Sequence, residues 1–219
     1  MADLFSNELR ASLRKTAVIA VLVIDNSDDA VQAAKALLRG GIDAIELTLR
    51  TPSALDALEK IRGETPEIIA GVGTILNEEQ VKAAKARGAP FGVSPGLNLN
   101  VVAAAASAGL PFAPGIVTPS ELEAAFEKGC RVLKFFPSES SGGLAYLKDI
   151  NAPYAHLGIE YIPLGGVSAA NLRLYLEEPS VLAVGGSWLA PRKLIAARDW
   201  DRISRNCEEA REIALKARP

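Results

Sequence analysis

The feature that most constrains this chain is a rhythm: an apolar, β-rich run followed by a helix-patterned segment, eight times over. The runs are AVIAVLVI (17–24), AIELTL (44–49), EIIAGVGT (67–74), FGVSPG (91–96), PFAPGI (111–116), RVLKFFP (131–137), YIPLGG (161–166) and VLAVGGS (181–187). The helical segments are 27–41, 51–63, 77–88, 100–109, 118–129, 143–150, 168–178 and a last one within 199–217. Strands that alternate with helices pair in parallel, because each helix carries the chain back to the starting edge. Eight such units predict an α/β fold of the closed (β/α)8 barrel type, with a short extra amphipathic helix over 3–14 ahead of the first strand. The rival, a doubly wound open sheet, wants a Gly-x-Gly-x-x-Gly turn after its first strand; IDNSDDA (24–30) contains no glycine. Ser27 is placed as an N-cap, and Gly40, Gly63, Gly88, Gly109 and Gly129 stand where helices stop. Without a linker, low-complexity tract or shift in composition, residues 1–219 are expected to form one domain.

Polar residues inside these runs carry the chemistry. Strand side chains alternate between the two faces of a barrel wall. Ile45, Leu47 and Leu49 therefore share the face turned to the helices, while Glu46, Thr48 and Arg50 point inward and climb toward the C-terminal mouth, where barrel enzymes keep their sites. An edge strand with one wet face would show the same pattern, but a closed barrel has no edges. The same parity groups Val132, Lys134 and Phe136 and sets Arg131 on the opposite face. An ammonium in an apolar run is costly unless it is paired or used; burial disfavours its charged form and frees the amine as a nucleophile. The bland alternative is an edge-strand lysine reaching water along its stem.

At the mouth, Thr74 has two roles open to it, binding substrate or capping the next helix, and Ser94-Pro95-Gly96 reads as a turn. Gly165-Gly166 and Gly185-Gly186-Ser187 end the last two strands. One glycine pair is as readily a tight turn, but two on adjacent strands suit the usual phosphate cup of this fold. An inward lysine, an inward carboxylate, an arginine able to clamp a carboxylate and a phosphate cup together fit Schiff-base chemistry on a phosphorylated keto acid.

Composition excludes several other classes. A net charge of -2 argues against a general nucleic-acid binder. Cys130 and Cys207 have neither metal nor redox spacing and read as reduced cysteines of a cytosolic protein. With His156 the single histidine, a multi-His metal site within one chain is excluded, and with it a metal-dependent sugar-phosphate epimerase. No secretory core precedes residue 15, and no apolar run approaches the ~18 residues of a membrane span. The expectation is a cytoplasmic protein that needs no metal or other cofactor, acts on a small molecule, and binds neither nucleic acid nor membrane. A non-catalytic barrel that binds a phosphorylated metabolite is a further alternative; it would have no reason to keep a lysine inside the sixth strand opposite Glu46.

The landmarks GGIDAIELTLRT (40–51), GVGT (71–74), SPG (94–96), PGIVTPSE (114–121), LKFFP (133–137), LGG (164–166) and GGSW (185–188) resemble, over nearly the whole chain, the bacterial 2-keto-3-deoxy-6-phosphogluconate (KDPG) / 4-hydroxy-2-oxoglutarate (KHG) aldolases, class I lyases on a (β/α)8 barrel. The resemblance implies cleavage of KDPG to pyruvate and glyceraldehyde 3-phosphate by a metal-free homotrimer. Lys134 would form the Schiff base and Glu46 would shuttle protons. Arg50 and Thr74 would hold the pyruvate carboxylate, beside Pro95, while Gly165, Gly166, Gly186 and Ser187 would bind the 6-phosphate. One position departs from the pattern: Leu164 stands where KDPG aldolases commonly carry Thr. Related 2-keto-3-deoxy-6-phosphogalactonate aldolases have an aliphatic residue there, so Leu164 bears on which C4 epimer is accepted.

Overall fold

The computed structural model describes residues 5–218. Nine strand segments appear there: β1 (Val18–Leu22), β2 (Ala44–Thr48), β3 (Ile69–Gly73), β4 (Gly92–Val93), β5 (Phe112–Ala113), β6 (Gly115–Ile116), β7 (Val132–Phe135), β8 (Glu160–Pro163) and β9 (Val184–Gly186). The α-helices among them are α1 (Asn7–Thr16), α2 (Asp28–Arg39), α3 (Ala54–Glu64), α4 (Glu78–Ala86), α5 (Leu99–Ala108), α6 (Pro119–Glu127), α7 (Gly143–Asn151), α8 (Ala169–Leu176), α9 (Arg192–Ala196) and α10 (Trp200–Ala217). Every strand pairing is parallel, in the orders β5-β4-β3-β2-β1-β9 and β6-β7-β8. The result is an α/β fold with a parallel sheet curled into a half-barrel.

The strand expected over 111–116 is broken by Pro114. Proline has no N–H to give to a ladder, so β5 pairs with β4 while β6 pairs with β7. The Pro114 carbonyl still accepts from the Lys134 N–H at 2.9 Å. The expected run at 181–187 is likewise divided. Val181 makes an isolated parallel bridge to Tyr161, and β9 turns to pair with β1.

Period-two alternation builds two separate cores. Ile45 and Leu47 of β2, with Ala20 and Leu22 of β1, face the helix layer. Ile19, Val21, Ala44, Phe91, Val93, Val132 and Ile162 form the other cluster, on the concave side. Phe5 and Leu13, flanking and within α1, join that concave cluster, and the Phe5 ring lies 6.5 Å from that of Phe91. The extra helix thus covers the end where the strands begin. It starts where Ser6 accepts from the Leu9 N–H, later than expected; residues 3 and 4 of the predicted span lie outside the described residues.

Capping follows the sequence only in part. Thr118 with Glu121 and Ser168 with Asn171 form capping boxes. Gly88, Gly109 and Gly129 take positive φ after their helices. Gly63 instead lies inside α3, and Gly40 has φ -82. A side chain on Gly40 would stand 2.3 Å from Cys207 Cβ and 2.5 Å from the Ser204 carbonyl oxygen, so this glycine lets α10 approach α2. Ser27 occupies the expected cap position, but its hydroxyl accepts from Lys60 Nζ, while Asn26 Oδ1 takes the Asp28 N–H. Among the described residues no helix is long and apolar enough to cross a membrane.

Candidate active site

Two buried charges meet inside the curl. Glu46 of β2 is 3% exposed and Lys134 of β7 is 5% exposed. The Lys134 ammonium donates to Glu46 Oε1 at 3.0 Å and to Oε2 at 3.2 Å. In register, Glu46 stands beside Val21 and Gly71, and Lys134 beside Gly115 and Ile162. Taking two ions out of water is expensive, and mutual contact at this range offsets part of that cost. Room for the carboxylate comes from Gly73, where a Cβ would fall 1.9 Å from Glu46 Oε1. The Phe136 ring centroid lies 5.4 Å from Lys134 Nζ, within cation–π range. Arg131 faces away, as its parity predicts: Nη1 donates to the carbonyls of Phe126 and Cys130, and the guanidinium sits 3.7 Å over the Phe126 ring.

One turn of alternation nearer the mouth, the buried Thr48 hydroxyl donates to the Leu22 carbonyl at 3.0 Å and accepts from Arg50 Nε at 3.3 Å. That contact uses Nε, and among the described residues no protein group takes the two terminal nitrogens of the fork. Thr74 follows β3 with φ 59, an outlying conformation for a β-branched residue. The helix after it is capped by Asn77, which accepts from the Gln80 N–H at 2.9 Å. Capping is therefore not the role of Thr74, which lines the cavity. In the following turn, Ser94 Oγ donates to the Gly96 carbonyl at 2.7 Å, and Pro95 reaches the same wall.

These groups surround a cavity of about 340 Å³. Of the sequence-predicted residues, Glu46, Arg50, Thr74, Pro95, Lys134, Leu164, Gly165, Gly186 and Ser187 line it. Gly166 does not; it is exposed beside the rim with φ 86, next to Gly165 with φ 91. Val21, Thr48, Phe136 and Gly185 line the cavity as well. Gly185 is needed because a Cβ there would lie 2.5 Å from the Leu164 side chain, which packs across it. A glycine in a strand signals close approach, but the sequence does not say what approaches. A larger hollow of about 930 Å³, bordered by Phe5, Arg10, Arg131 and Glu160, contains none of these groups.

Chemically, the arrangement offers an amine and a carboxylate in direct contact, a cation at the mouth, and glycine backbone elsewhere on the wall. Residues 9–206 match the family described as KDPG and KHG aldolase. The KHG/KDPG aldolase of Escherichia coli K12 is 43% identical over 197 residues, which are 90% of this chain and 92% of that protein. Solved structures similar to this one include two KDPG aldolases. A KDPG aldolase from Legionella pneumophila, with pyruvate captured as a covalent carbinolamine intermediate, gives a TM-score of 0.87 at 35% identity, covering 92% of this chain and 97% of that one. The Zymomonas mobilis ZM4 enzyme, with 3-phosphoglycerate, gives 0.85 at 35% identity, covering 94% and 96%.

Proposed function

This chain belongs to the KDPG and KHG aldolase family, and from that premise we propose that it is a class I aldolase cleaving KDPG to pyruvate and glyceraldehyde 3-phosphate through a Schiff base on Lys134. The observation that carries the reading is the buried contact between Lys134 Nζ and Glu46 at 3.0 Å, opening onto a cavity rimmed by Arg50 and the glycine loops. A general base must lie within hydrogen-bond reach of the proton it moves. Glu46 meets that condition before substrate arrives.

The steps follow from this geometry. Glu46 takes a proton from Lys134, whose lone pair attacks C2 of the substrate. Glu46 returns that proton to the carbinolamine hydroxyl, which leaves as water, and a protonated imine remains. The C4 hydroxyl gives its proton to the Glu46 carboxylate, the C3–C4 bond breaks, and its electrons pass into the imine as an enamine. Glyceraldehyde 3-phosphate departs. Glu46 then delivers a proton to C3, and water releases pyruvate from Lys134. Arg50 and Thr74 hold the C1 carboxylate, with Pro95 as the wall beside it. Gly165, Gly166, Gly186 and Ser187 receive the phosphate at the other rim; Gly166 takes part from its exposed position through backbone alone.

The same machinery would cleave 4-hydroxy-2-oxoglutarate to pyruvate and glyoxylate. A second reading, favoured by Leu164 packed across Gly185 at the cavity wall, is that the galactonate epimer of the phosphorylated substrate is accepted too. The reading includes one closed (β/α)8 domain over residues 1–219. The Tyr161–Val181 bridge and the pairing of β5 and β6 to opposite sheets support closure. It also includes a cytoplasmic homotrimer, on the pattern of the family. The test is incubation with pyruvate and borohydride followed by peptide mass mapping. A reduced pyruvyl adduct on Lys134, absent in Lys134→Ala together with cleavage, is expected. An adduct on another lysine, or none, refutes the mechanism.

A further inference from the structure

Behind the glycine loop after β8 lies a hydrogen-bonded network, buried at Ser138 and Tyr175 and reaching the surface at Glu139, that none of the steps above uses. Tyr175 of α8 is 1% exposed and Ser138 is fully buried. The Tyr175 hydroxyl donates to Glu139 Oε1 and shares a 2.7 Å hydrogen bond with Ser138 Oγ. A phenol has one proton and a carboxylate only accepts, so the Ser138 hydroxyl is the donor to Tyr175. The backbone joins the same assembly: the N–H of Ser138 donates to the Leu164 carbonyl at 2.7 Å, and that of Glu139 to the Gly165 carbonyl at 2.9 Å.

Those two carbonyls fix the direction of the next two amides. In a planar trans peptide the C=O of one residue and the N–H of the next point opposite ways. With the carbonyls of Leu164 and Gly165 tied to residues 138 and 139, the N–H groups of Gly165 and Gly166 are turned to the other side of the loop. Neither donates to a partner among the described residues. The loop also rests directly on Glu139, since a Cβ at Gly166 would stand 2.6 Å from Glu139 Cβ. A carboxylate lies beneath the very loop that would receive a dianion, held toward Gly143 and α8 by the Tyr175 hydroxyl.

We propose that Tyr175 and Ser138 are positioning residues for phosphate recognition, holding the 138–139 backbone and the Glu139 carboxylate so that the Gly165 and Gly166 amides face the anion. This rests on the reading that the loops after β8 and β9 receive the phosphate. The test is steady-state kinetics of Tyr175→Phe and Ser138→Ala on KDPG and on unphosphorylated 4-hydroxy-2-oxoglutarate, with Ser187→Ala in parallel. The expected result is a KM for KDPG raised about fivefold, the size of one lost hydrogen bond, with kcat for KDPG and both constants for the unphosphorylated substrate little changed. A purely structural role would shift both substrates together. If Ser187→Ala is selective for the phosphorylated substrate while Tyr175→Phe and Ser138→Ala raise both KM values equally, or neither, the positioning inference falls and the phosphate reading stands. If Ser187→Ala is not selective either, the phosphate reading falls and takes this inference with it.

Discussion

Replacing Gly73 by alanine tests whether the position of Glu46, rather than its mere presence, sustains catalysis. The added Cβ would lie 1.9 Å from Glu46 Oε1 and 2.5 Å from both Cγ and Cδ. A non-bonded carbon and oxygen keep about 3.3 Å apart, so the carboxylate must move by more than about 1 Å. Its contacts to Lys134 Nζ, at 3.0 and 3.2 Å, cannot both survive that displacement. Gly73 is not in the left-handed region, so the backbone accepts alanine and the effect is one of contact alone. A misplacement of about 1 Å in a reacting group costs on the order of 10²-fold in rate, and overpacking costs about 1–3 kcal/mol of stability. The assay is pyruvate release in a coupled reaction, read as kcat, beside thermal unfolding of the same preparation. Gly73→Ala should stay folded with a modestly lower Tm and lose about 100-fold in kcat. A folded variant with kcat within threefold of the parent would refute the claim that the carboxylate is needed where it stands.

Other perturbations separate binding, packing and titration. Thr48→Val removes the acceptor for Arg50 Nε while keeping the side-chain shape; KM for the keto acid should rise about fivefold, the worth of one hydrogen bond, and Thr48→Ser should restore it. Gly40→Ala drives a Cβ against Cys207 and the Ser204 carbonyl; a loss of about 2–3 kcal/mol should lower Tm by roughly 5–10 °C without changing kcat. Gly63→Ala, with nothing within 4 Å of the new Cβ, should raise stability by about 0.5–1 kcal/mol because alanine is the better helix former. Burial, then the hydrogen bond to Glu139, pushes the Tyr175 hydroxyl up to about 12. The unfolded chain releases that proton first, near the ordinary value of about 10. The contribution is therefore intact below about pH 10 and lost as pH rises through about 12. Denaturant titrations from pH 9 to 12 should show a shallower alkaline loss in Tyr175→Phe; an unchanged slope would contradict the assignment.

Much of this site is legible in two short stretches. AIELTLR and RVLKFFP declare which of their side chains share a face, because alternation in a strand is set by covalent geometry and survives any packing. Glu46, Thr48, Arg50, Lys134 and Phe136 are legible as cavity residues for that reason, and the alternating runs announce a parallel α/β sheet. The break at Pro114 is less legible: a proline marks a missing donor, but only the positions of β4 and β7 determine that the two halves serve different neighbours. Likewise Thr74 reads equally as cap or ligand until its backbone turns to φ 59 and Asn77 takes the cap.

Gly40 and Gly63 carry the boundary between the two kinds of knowledge. Both follow a helical pattern and both read as stops, yet one admits α10 from the far end of the chain and the other sits in open space inside α3. Sequence alone determined which polar side chains share the cavity face, since facing depends on neighbours along the chain. Tertiary structure decided their distances: Lys134 and Glu46 are 88 residues apart. What brings them to 3.0 Å is the curl of the sheet, a sum of many contacts that no local pattern encodes.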